Sequence, residues 1–185
     1  QKATLLMVGT IEPRKGHLQT IAAFEMLWQQ GFDINLVIVG KEGWQDLPDE
    51  QRRTIPKIIN KINKHSELNK RLFWLDGISD EYLEKVYSSS TCLIAASEGE
   101  GFGLPLIEAA QHKLPIIARD IPVFREVAGE HAYYFKGKEP KALAMAIQNW
   151  LKLYKTKNHP TSGSMPWLTW RESTSQLMQI IVENE

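Results

Sequence analysis

The sequence predicts an α/β protein built on a doubly wound, parallel, Rossmann-like sheet of six strands. Short apolar runs alternate with helical patterns along nearly the whole chain, which is the order of elements in a parallel sheet with helical crossovers. These runs are nearly continuous in apolar residues, as is typical of strands that are covered on both faces. With 185 residues, the chain is long enough for one domain with a substantial core.

The apolar runs give the predicted strands, which lie at residues 4–8, 34–39, 71–75, 91–96, 115–118 and 132–135. Helices are predicted at about 16–30, 80–89, 104–112, 122–128, 139–155 and 170–183. A further helix is indicated from Ile55 to Ile62, where isoleucines recur at i, i+3, i+4 and i+7, with Pro56 in the first turn. The stretch 158–166, rich in Gly, Ser and Pro, is predicted to be a surface loop before the last helix.

Composition and charge exclude several classes of protein. Lys+Arg and Asp+Glu are both 22, so the chain lacks the overall basic field that is typical of nucleic-acid binding. The single cysteine, Cys92, lies in an apolar run, which excludes a disulfide framework and fits a reducing, cytoplasmic compartment. No membrane-spanning run and no secretory leader is visible. Because the first residue is Gln1 rather than Met, we expect a segment upstream of it.

The most informative stretch is an acidic, glycine-rich loop from Ser97 to Glu108, which follows the fourth predicted strand. Glycines in this loop allow backbone amides to approach a ligand closely, and the helix that starts near Pro105 has an N-terminus that attracts anions. Two carboxylates, Glu100 before the helix and Glu108 inside it, would face different parts of one ligand. This layout predicts a binding site.

A second loop is predicted to face the first. In the strand order 3-2-1-4-5-6, strands 1 and 4 are neighbours, and ligands bind at their carboxyl ends. The first strand ends in Gly9, and the loop after it carries the adjacent cations Arg14 and Lys15. Together with the amides around Gly103, these cations would suit a diphosphate. The dinucleotide fingerprint G-x-G-x-x-G is missing after this strand, which argues against a dehydrogenase.

Each feature taken alone also fits a purely structural role. Arg14 and Lys15 could be solvated loop charges, and Glu108 could be an ordinary glutamate of a first helical turn. At the start of the first helix, His17 is expected at the surface rather than on a phosphate. The basic and aromatic segment 150–157 is interpreted as a helix with one packed and one solvated face, rather than as a membrane-surface segment.

Three stretches carry a family resemblance: Val8–Gly16, Leu72–Tyr87 and Glu100–Glu108, the last with the pattern E-x7-E. The chain resembles the C-terminal, donor-binding domain of retaining GT-B glycosyltransferases of the large family four, also called glycosyl transferases group 1. The likeness runs from about residue 4 to 150, and Asp120–Val127 continues it after the fifth strand.

The resemblance implies a role for each matching residue. Lys15, with Arg14 beside it, would hold the donor's diphosphate and stabilise it as it leaves. Glu100 would lie against hydroxyls of the transferred sugar, and Glu108 would accept hydrogen bonds from the ribose hydroxyls. A carboxylate can accept from two vicinal hydroxyls, whereas a diphosphate would repel it. Further donor-contacting positions are implied at the strand ends, at the base edge and around the helix start: Gly9, Thr10, Gly40, Ile78, Ser79, Asp80, Phe102, Gly103 and Leu104.

One position departs from the family pattern. Many members carry an arginine directly after the first-strand glycine, where this chain has Thr10. Neutralisation of the phosphates would then depend on Arg14 and Lys15, as in a subgroup with a Pro-Arg-Lys loop. That subgroup includes many bacterial surface-polysaccharide mannosyltransferases, which favours GDP-mannose over a UDP-linked donor.

The function implied is that of a single nucleotide-sugar-binding domain, the donor half of a retaining hexosyltransferase, with a saccharide or lipid-linked acceptor and no metal or other cofactor. Transfer would need an N-terminal acceptor-binding domain outside the 185 residues, so the isolated domain is expected to bind nucleotide without catalysing. The complete enzyme is expected in the cytoplasm, in peripheral contact with the inner face of the membrane. Two alternatives remain: a non-catalytic nucleotide-sugar-binding module of a larger assembly, and a sugar-phosphate isomerase or epimerase, for which no acid/base pair can be placed.

Overall fold

The computed structural model of the chain describes residues 2–167 together with 172, 174, 175, 178 and 179. Within this part of the chain the strands are β1 (Ala3–Val8), β2 (Ile34–Val39), β3 (Leu72–Leu75), β4 (Cys92–Ala95), β5 (Ile116–Arg119) and β6 (Tyr133–Phe135). The strands pair in parallel in the order β3-β2-β1-β4-β5-β6. The predicted doubly wound fold is therefore confirmed, and the carboxyl ends of β1 and β4 lie side by side.

The helices that connect the strands are α1 (His17–Gln29), α2 (Ile55–Asn63), α3 (Asp80–Ser89), α4 (Leu104–Gln111), α5 (Pro122–Ala128) and α6 (Pro140–Lys155). Pro56 lies in the first turn of α2, and three of the four predicted isoleucines, Ile55, Ile58 and Ile62, are buried, while Ile59 is partly buried against the same cluster. Two short 3-10 helices, Pro13–Lys15 and Asp49–Gln51, have no counterpart among the predicted elements. The last predicted helix, 170–183, lies outside the described residues, apart from the five separate positions given above.

The sheet separates two hydrophobic clusters. Buried residues of α1, α2 and α6 form one cluster, and those of α3, α4 and α5 form the other. Neighbouring residues of one strand belong to different clusters, since Leu5 faces the first and Leu6 the second, and both are fully buried. This double coverage explains why the strands are continuous apolar runs.

The segment 158–166 contains neither helix nor strand, but it is not confined to the surface. Ser162 and Met165 are only 1% and 3% exposed, and Met165 joins the cluster of α3, α4 and α5. The hydroxyl of Ser162 donates to the backbone carbonyl of Leu114 at 2.7 Å, which satisfies its polar group inside the core. The prediction of a surface loop is wrong at these two positions, because the segment folds back and closes the core before β5.

The aromatic segment at the end of α6 has the predicted packed and solvated faces. Trp150 is fully buried in the cluster of α1, α2 and α6, whereas Tyr154 is 39% exposed. Trp150 therefore anchors the helix on the domain. Among the described residues, no helix combines the length and the apolar character needed to cross a membrane.

Candidate functional site

The β1–α1 loop and the β4–α4 loop face each other across a cleft at the carboxyl end of the sheet, as predicted. The backbone N–H of Glu98 donates to the carbonyl of Arg14 at 2.8 Å and joins the two loops directly. The walls of the cleft include Lys15, Ser97 and Glu100, with Phe124 of α5 on the apolar side. The cleft thus lies at the topological switch point of the fold, where open α/β sheets bind their ligands.

Three predicted residues meet in this cleft. Lys15 Nζ lies 2.6 Å from Glu100 Oε2, and Arg14 Nη1 lies 3.2 Å from Glu100 Oε1. The side chains of Lys15 and Glu100 are only 12% and 11% exposed, whereas that of Arg14 is 46% exposed. Because the pair of Lys15 and Glu100 is shielded from water, it interacts more strongly than the surface pair with Arg14.

Glu100 is held as an anion by these neighbours. Partial burial raises its pKa, but the hydrogen bond and charge of Lys15, followed by those of Arg14, bring the pKa below its ordinary value. Ser97 Oγ adds a third donor to the same carboxylate, 3.2 Å from Oε2. The loop side of the cleft therefore holds two cations and one ionised carboxylate in contact.

The close approach of the strand ends requires glycine at two positions. A Cβ on Gly40 would lie 2.0 Å from the carbonyl oxygen of Gly9, and a Cβ on Gly16 would lie 2.4 Å from that of Ala96. Both glycines also have positive φ, 155° and 81°. Gly40 thus has a packing role at the base of the cationic loop, while Gly9 lies beside Lys15, whose Nζ would be 3.7 Å from an added Cβ.

The start of α4 combines a glycine cap with two exposed neighbouring side chains. Gly103 caps the helix in the left-handed region, with φ 68°. The flanking side chains Phe102 and Leu104 are 78% and 45% exposed, whereas Gly103 itself is buried. Thr10, at the corresponding point after β1, is also exposed.

The side chain of Glu108 lies apart from the cations and contacts α3 instead. Glu108 Oε2 accepts a hydrogen bond of 2.5 Å from the phenol of Tyr87, which is 2% exposed. Burial, followed by the charge and hydrogen bond of Glu108, raises the pKa of Tyr87 far above its usual value. The two glutamates of the E-x7-E pattern therefore have different partners: cations for Glu100 and a neutral donor for Glu108.

The segment from Ile78 to Asp80 forms the start of α3. Ser79 Oγ accepts from the backbone N–H of Tyr82 at 3.3 Å and caps the helix. Ile78 packs against the cluster of α3, α4 and α5, and the side chain of Asp80 is exposed. The structure therefore assigns local roles to Ile78 and Ser79, and contact of this segment with a base stays a prediction.

Arg119, at the end of β5, is a buried cation that the sequence reasoning missed. It is 5% exposed, and its guanidinium donates to the carbonyls of Ala96 (3.1 and 3.0 Å) and Gly137 (2.5 Å) and to the side-chain oxygen of Gln19. Burial lowers the pKa of Arg119, while the charge of Glu98 opposes this shift. The arginine ties together the ends of β4 and β6 and the start of α1. A cation at the end of an apolar strand was the available signal.

The surface position expected for His17 is wrong. Its side chain is 1% exposed, because the turn at Gly16 directs the start of α1 beneath the cationic loop. Neither ring nitrogen has a hydrogen-bond partner of normal geometry among the described residues, although the carbonyl of Glu12 is near enough to act on the ring. Burial and then the charge of Lys15 lower the pKa of His17 to about 4. His17 is therefore neutral in the folded protein at neutral pH.

Several curated proteins are similar to this chain. The serotype-specific mannosyltransferase WbdA of Escherichia coli is 54% identical over 176 residues, which cover 95% of this chain and 20% of WbdA. The O-antigen chain mannosyltransferase RfbU of Salmonella typhimurium is 39% identical over 83 residues, covering 45% of this chain and 24% of RfbU. The chain thus spans only about a fifth of the length of WbdA.

Solved structures share the fold, and the family follows from the sequence. The sucrose-phosphate synthase of Thermosynechococcus elongatus matches all of this chain and 47% of its own, with a TM-score of 0.75 and 25% identity. The crystallised C-terminal domain of a glycosyl transferase group 1 family protein, LpcC, from Francisella tularensis matches with a TM-score of 0.68 and 22% identity, covering 85% of this chain and 79% of its own. Because the profile of glycosyl transferases group 1 matches residues 1–163, which are most of the chain, the protein belongs to that family.

Proposed function

We propose that this chain is the donor-binding half of a retaining mannosyltransferase that transfers mannose from a nucleoside diphosphate sugar to a saccharide or lipid-linked acceptor. The observation that carries the proposal is the convergence of Arg14, Lys15 and Glu100 in one cleft at the switch point of the sheet. The similarity to WbdA supports mannose as the sugar. Transfer belongs to the complete protein, whose acceptor-binding domain would lie outside this chain.

The contacts of Glu100 suggest how a donor would enter. A diphosphate that binds Lys15 and Arg14 competes with Glu100 for the same two cations, which lie 2.6 and 3.2 Å from its carboxylate oxygens. The phosphates bring more negative charge than the carboxylate, so the cations turn to them. Glu100 is then free to accept hydrogen bonds from hydroxyls of the sugar that is attached to the diphosphate.

The same cations would act in the transfer step. Negative charge develops on the diphosphate as the bond to the sugar breaks, and positioned donors stabilise such charge best. Lys15, Arg14 and the N-terminus of α4, which borders the cleft at Pro105 and Leu106, would be the donors. We propose that these groups, rather than a metal ion, neutralise the leaving diphosphate.

Calorimetry of the chain with GDP, UDP, ADP and GDP-mannose tests the proposal. We expect GDP and GDP-mannose to bind, and Lys15→Ala to weaken both by about tenfold or more, since it removes a charged hydrogen bond. Lys152→Ala is the matched control, because Lys152 is exposed on the last turn of α6, at the opposite end of that helix from the cleft. Failure of all four ligands to bind would overturn the proposal. If GDP-mannose binds but the complete protein does not transfer mannose, the result would favour the alternative function, a non-catalytic nucleotide-sugar-binding module.

A further inference from the structure

The buried phenol of Tyr87 on α3 donates a hydrogen bond to Glu108 on α4 and so joins the two helices. Its hydroxyl lies 2.5 Å from Glu108 Oε2, and the residue is 2% exposed, so water cannot replace this partner. A neutral donor bound to an ionised acceptor forms a short and strong hydrogen bond. Among the contacts described for Glu108, this bond is the one that fixes the orientation of its carboxylate.

The ring of Tyr87 is itself held in place. It stacks on the imidazole of His112, with ring centroids 5.2 Å apart and the planes inclined by 2°. His112 is held from α3 in turn, because its Nε2 lies 3.2 Å from Glu84 Oε2 and its Nδ1 lies 3.2 Å from Ser88 Oγ. The phenol therefore cannot swing away from Glu108 without unstacking this ring.

A fixed carboxylate suits the recognition of a diol. An ionised carboxylate has about four acceptor sites, and Tyr87 occupies one of them on Oε2. No other side-chain partner of Glu108 occurs among the described residues, so Oε1 would be available to vicinal hydroxyls. A free glutamate side chain would have to lose rotamer freedom when a ligand binds, whereas a held side chain has lost it already. The hydrogen bond from Tyr87 would thus raise the affinity for the diol, although Tyr87 itself would not contact the diol.

We propose that Tyr87 is a positioning residue that orients Glu108 toward the ribose hydroxyls of the donor, and so gives the site its preference for ribonucleotides over deoxyribonucleotides. This inference rests on the proposed function, because it takes a nucleoside diphosphate as the ligand. A purely structural role for Tyr87 would affect stability but not the preference for ribose.

The test compares the affinities of the chain for GDP and for 2′,3′-dideoxy-GDP, which lacks both ribose hydroxyls, by calorimetry. The ratio of the two affinities should fall by about tenfold in Tyr87→Phe, which keeps the ring and removes the hydroxyl. The same ratio should fall in Glu108→Gln, and adding Tyr87→Phe to that variant should change it little further. Affinity for the dideoxy nucleotide should stay near its wild-type value.

Tyr134→Phe is the matched control, because its phenol also bonds within the protein, to the carbonyls of Phe124 at 3.1 Å and Gly129 at 2.9 Å. It should lower the thermal stability and leave the affinity ratio unchanged. His112→Leu provides a second variant in case Tyr87→Phe does not fold, since it removes the stacked ring and keeps the phenol. We expect a smaller fall of the ratio in His112→Leu.

The outcomes separate this inference from the function on which it rests. If the wild-type chain binds none of the nucleoside diphosphates, the function and the inference fail together. If it binds GDP and prefers it to the dideoxy form, but the ratio is unchanged in Tyr87→Phe and His112→Leu, only the role of Tyr87 is overturned. Equal binding of the two nucleotides by the wild-type chain would likewise overturn it.

Discussion

Glu100 lies in the cleft and Glu108 lies on α4, whose first turn borders the cleft, and the two carboxylates are held in opposite ways. On the loop side, Glu100 contacts two cations of another loop. Burial raises the pKa of Glu100, but Lys15 and then Arg14 outweigh this effect and lower it. On the helix side, Glu108 projects from α4 and accepts from the neutral phenol of Tyr87. Cations can exchange a carboxylate for a phosphate, whereas a phenol has no such preference for the ligand's charge. Under the proposed function, the neighbour of each glutamate, rather than the glutamate itself, would decide which part of the donor it contacts.

Under the proposed function, the difference would also place the phosphates on the loop side. A diphosphate placed near Glu108 would meet a carboxylate that forms no ion pair within the described part of the chain, and like charges repel. The hydroxyls of a ribose carry no charge and suit that position. The following predictions test the loop side, and two of them use the helix side as the reference.

The largest effect is expected at Lys15. In the complete protein, Lys15→Ala should lower the rate of transfer by roughly 10² to 10³, because it removes a positioned charge from the leaving diphosphate. The preference for GDP over its dideoxy form, which belongs to the helix side, should not change. Steady-state kinetics and calorimetry measure these two quantities. Near wild-type turnover in Lys15→Ala would contradict the role of the cation.

Acidification should destabilise the loop side through His17. Burial lowers the pKa of His17 from its ordinary value of 6.5 to about 4, so the folded state binds fewer protons than the unfolded state between these two pH values. The stabilisation is thus fully present above pH 6.5 and is lost as the pH falls toward about 4. It amounts to about 3 kcal/mol in the free energy of unfolding. In urea unfolding between these pH values, the free energy of unfolding should depend less on pH in His17→Leu than in the wild-type protein. An equal pH dependence in the two proteins would contradict the lowered pKa of His17.

The two glutamates should respond differently to the same substitution. Glu100→Gln removes the competitor of the phosphates, so GDP should bind at least as tightly, while the extra affinity of GDP-mannose over GDP should fall by about tenfold. Glu108→Gln, the matched variant on the helix side, should weaken GDP and GDP-mannose by the same factor. Calorimetry with both ligands gives the comparison. Equal effects of the two variants on both ligands would contradict the proposal that Glu100 contacts the sugar and Glu108 contacts the ribose.

The smallest effect is expected at the rim. Glu12 Oε2 lies 3.1 Å from Arg14 Nε, and the side chain of Arg14 is 46% exposed. Because exposed ion pairs contribute little, Glu12→Gln should change the free energy of unfolding by less than about 1 kcal/mol. Thermal unfolding at low and high salt measures this change. A larger loss would mean that Glu12, and not only Glu100, orders the cationic loop.

The sequence predicted the parts of the site that depend on local pattern and on the order of the strands. Arg14, Lys15 and Glu100 follow strands that are recognisable as apolar runs, and the strand order brings them to one edge of the sheet. The bond between Tyr87 and Glu108 joins two helices, and no local pattern encodes which side chain meets which across them.

Two other residues show the same limit. His17 looked like a surface residue because it is polar and starts a helix, but the direction of that helix is set by Gly16 against Ala96. Arg119 was overlooked because its partners are backbone carbonyls and an amide, which leave no charge pattern in the sequence. Both residues are defined by tertiary neighbours that are reached only after the chain has folded.

The hydrogen bond from Glu98 N–H to the Arg14 carbonyl has a consequence for how such a domain could be reused. It joins the two loops of the cleft through their backbones, so this junction does not depend on particular side chains. A recombination event that moved this stretch of chain into another protein would carry both walls of the cleft as one assembled unit. The proposed donor preference would then be inherited intact, while the new neighbouring domain supplied a different acceptor.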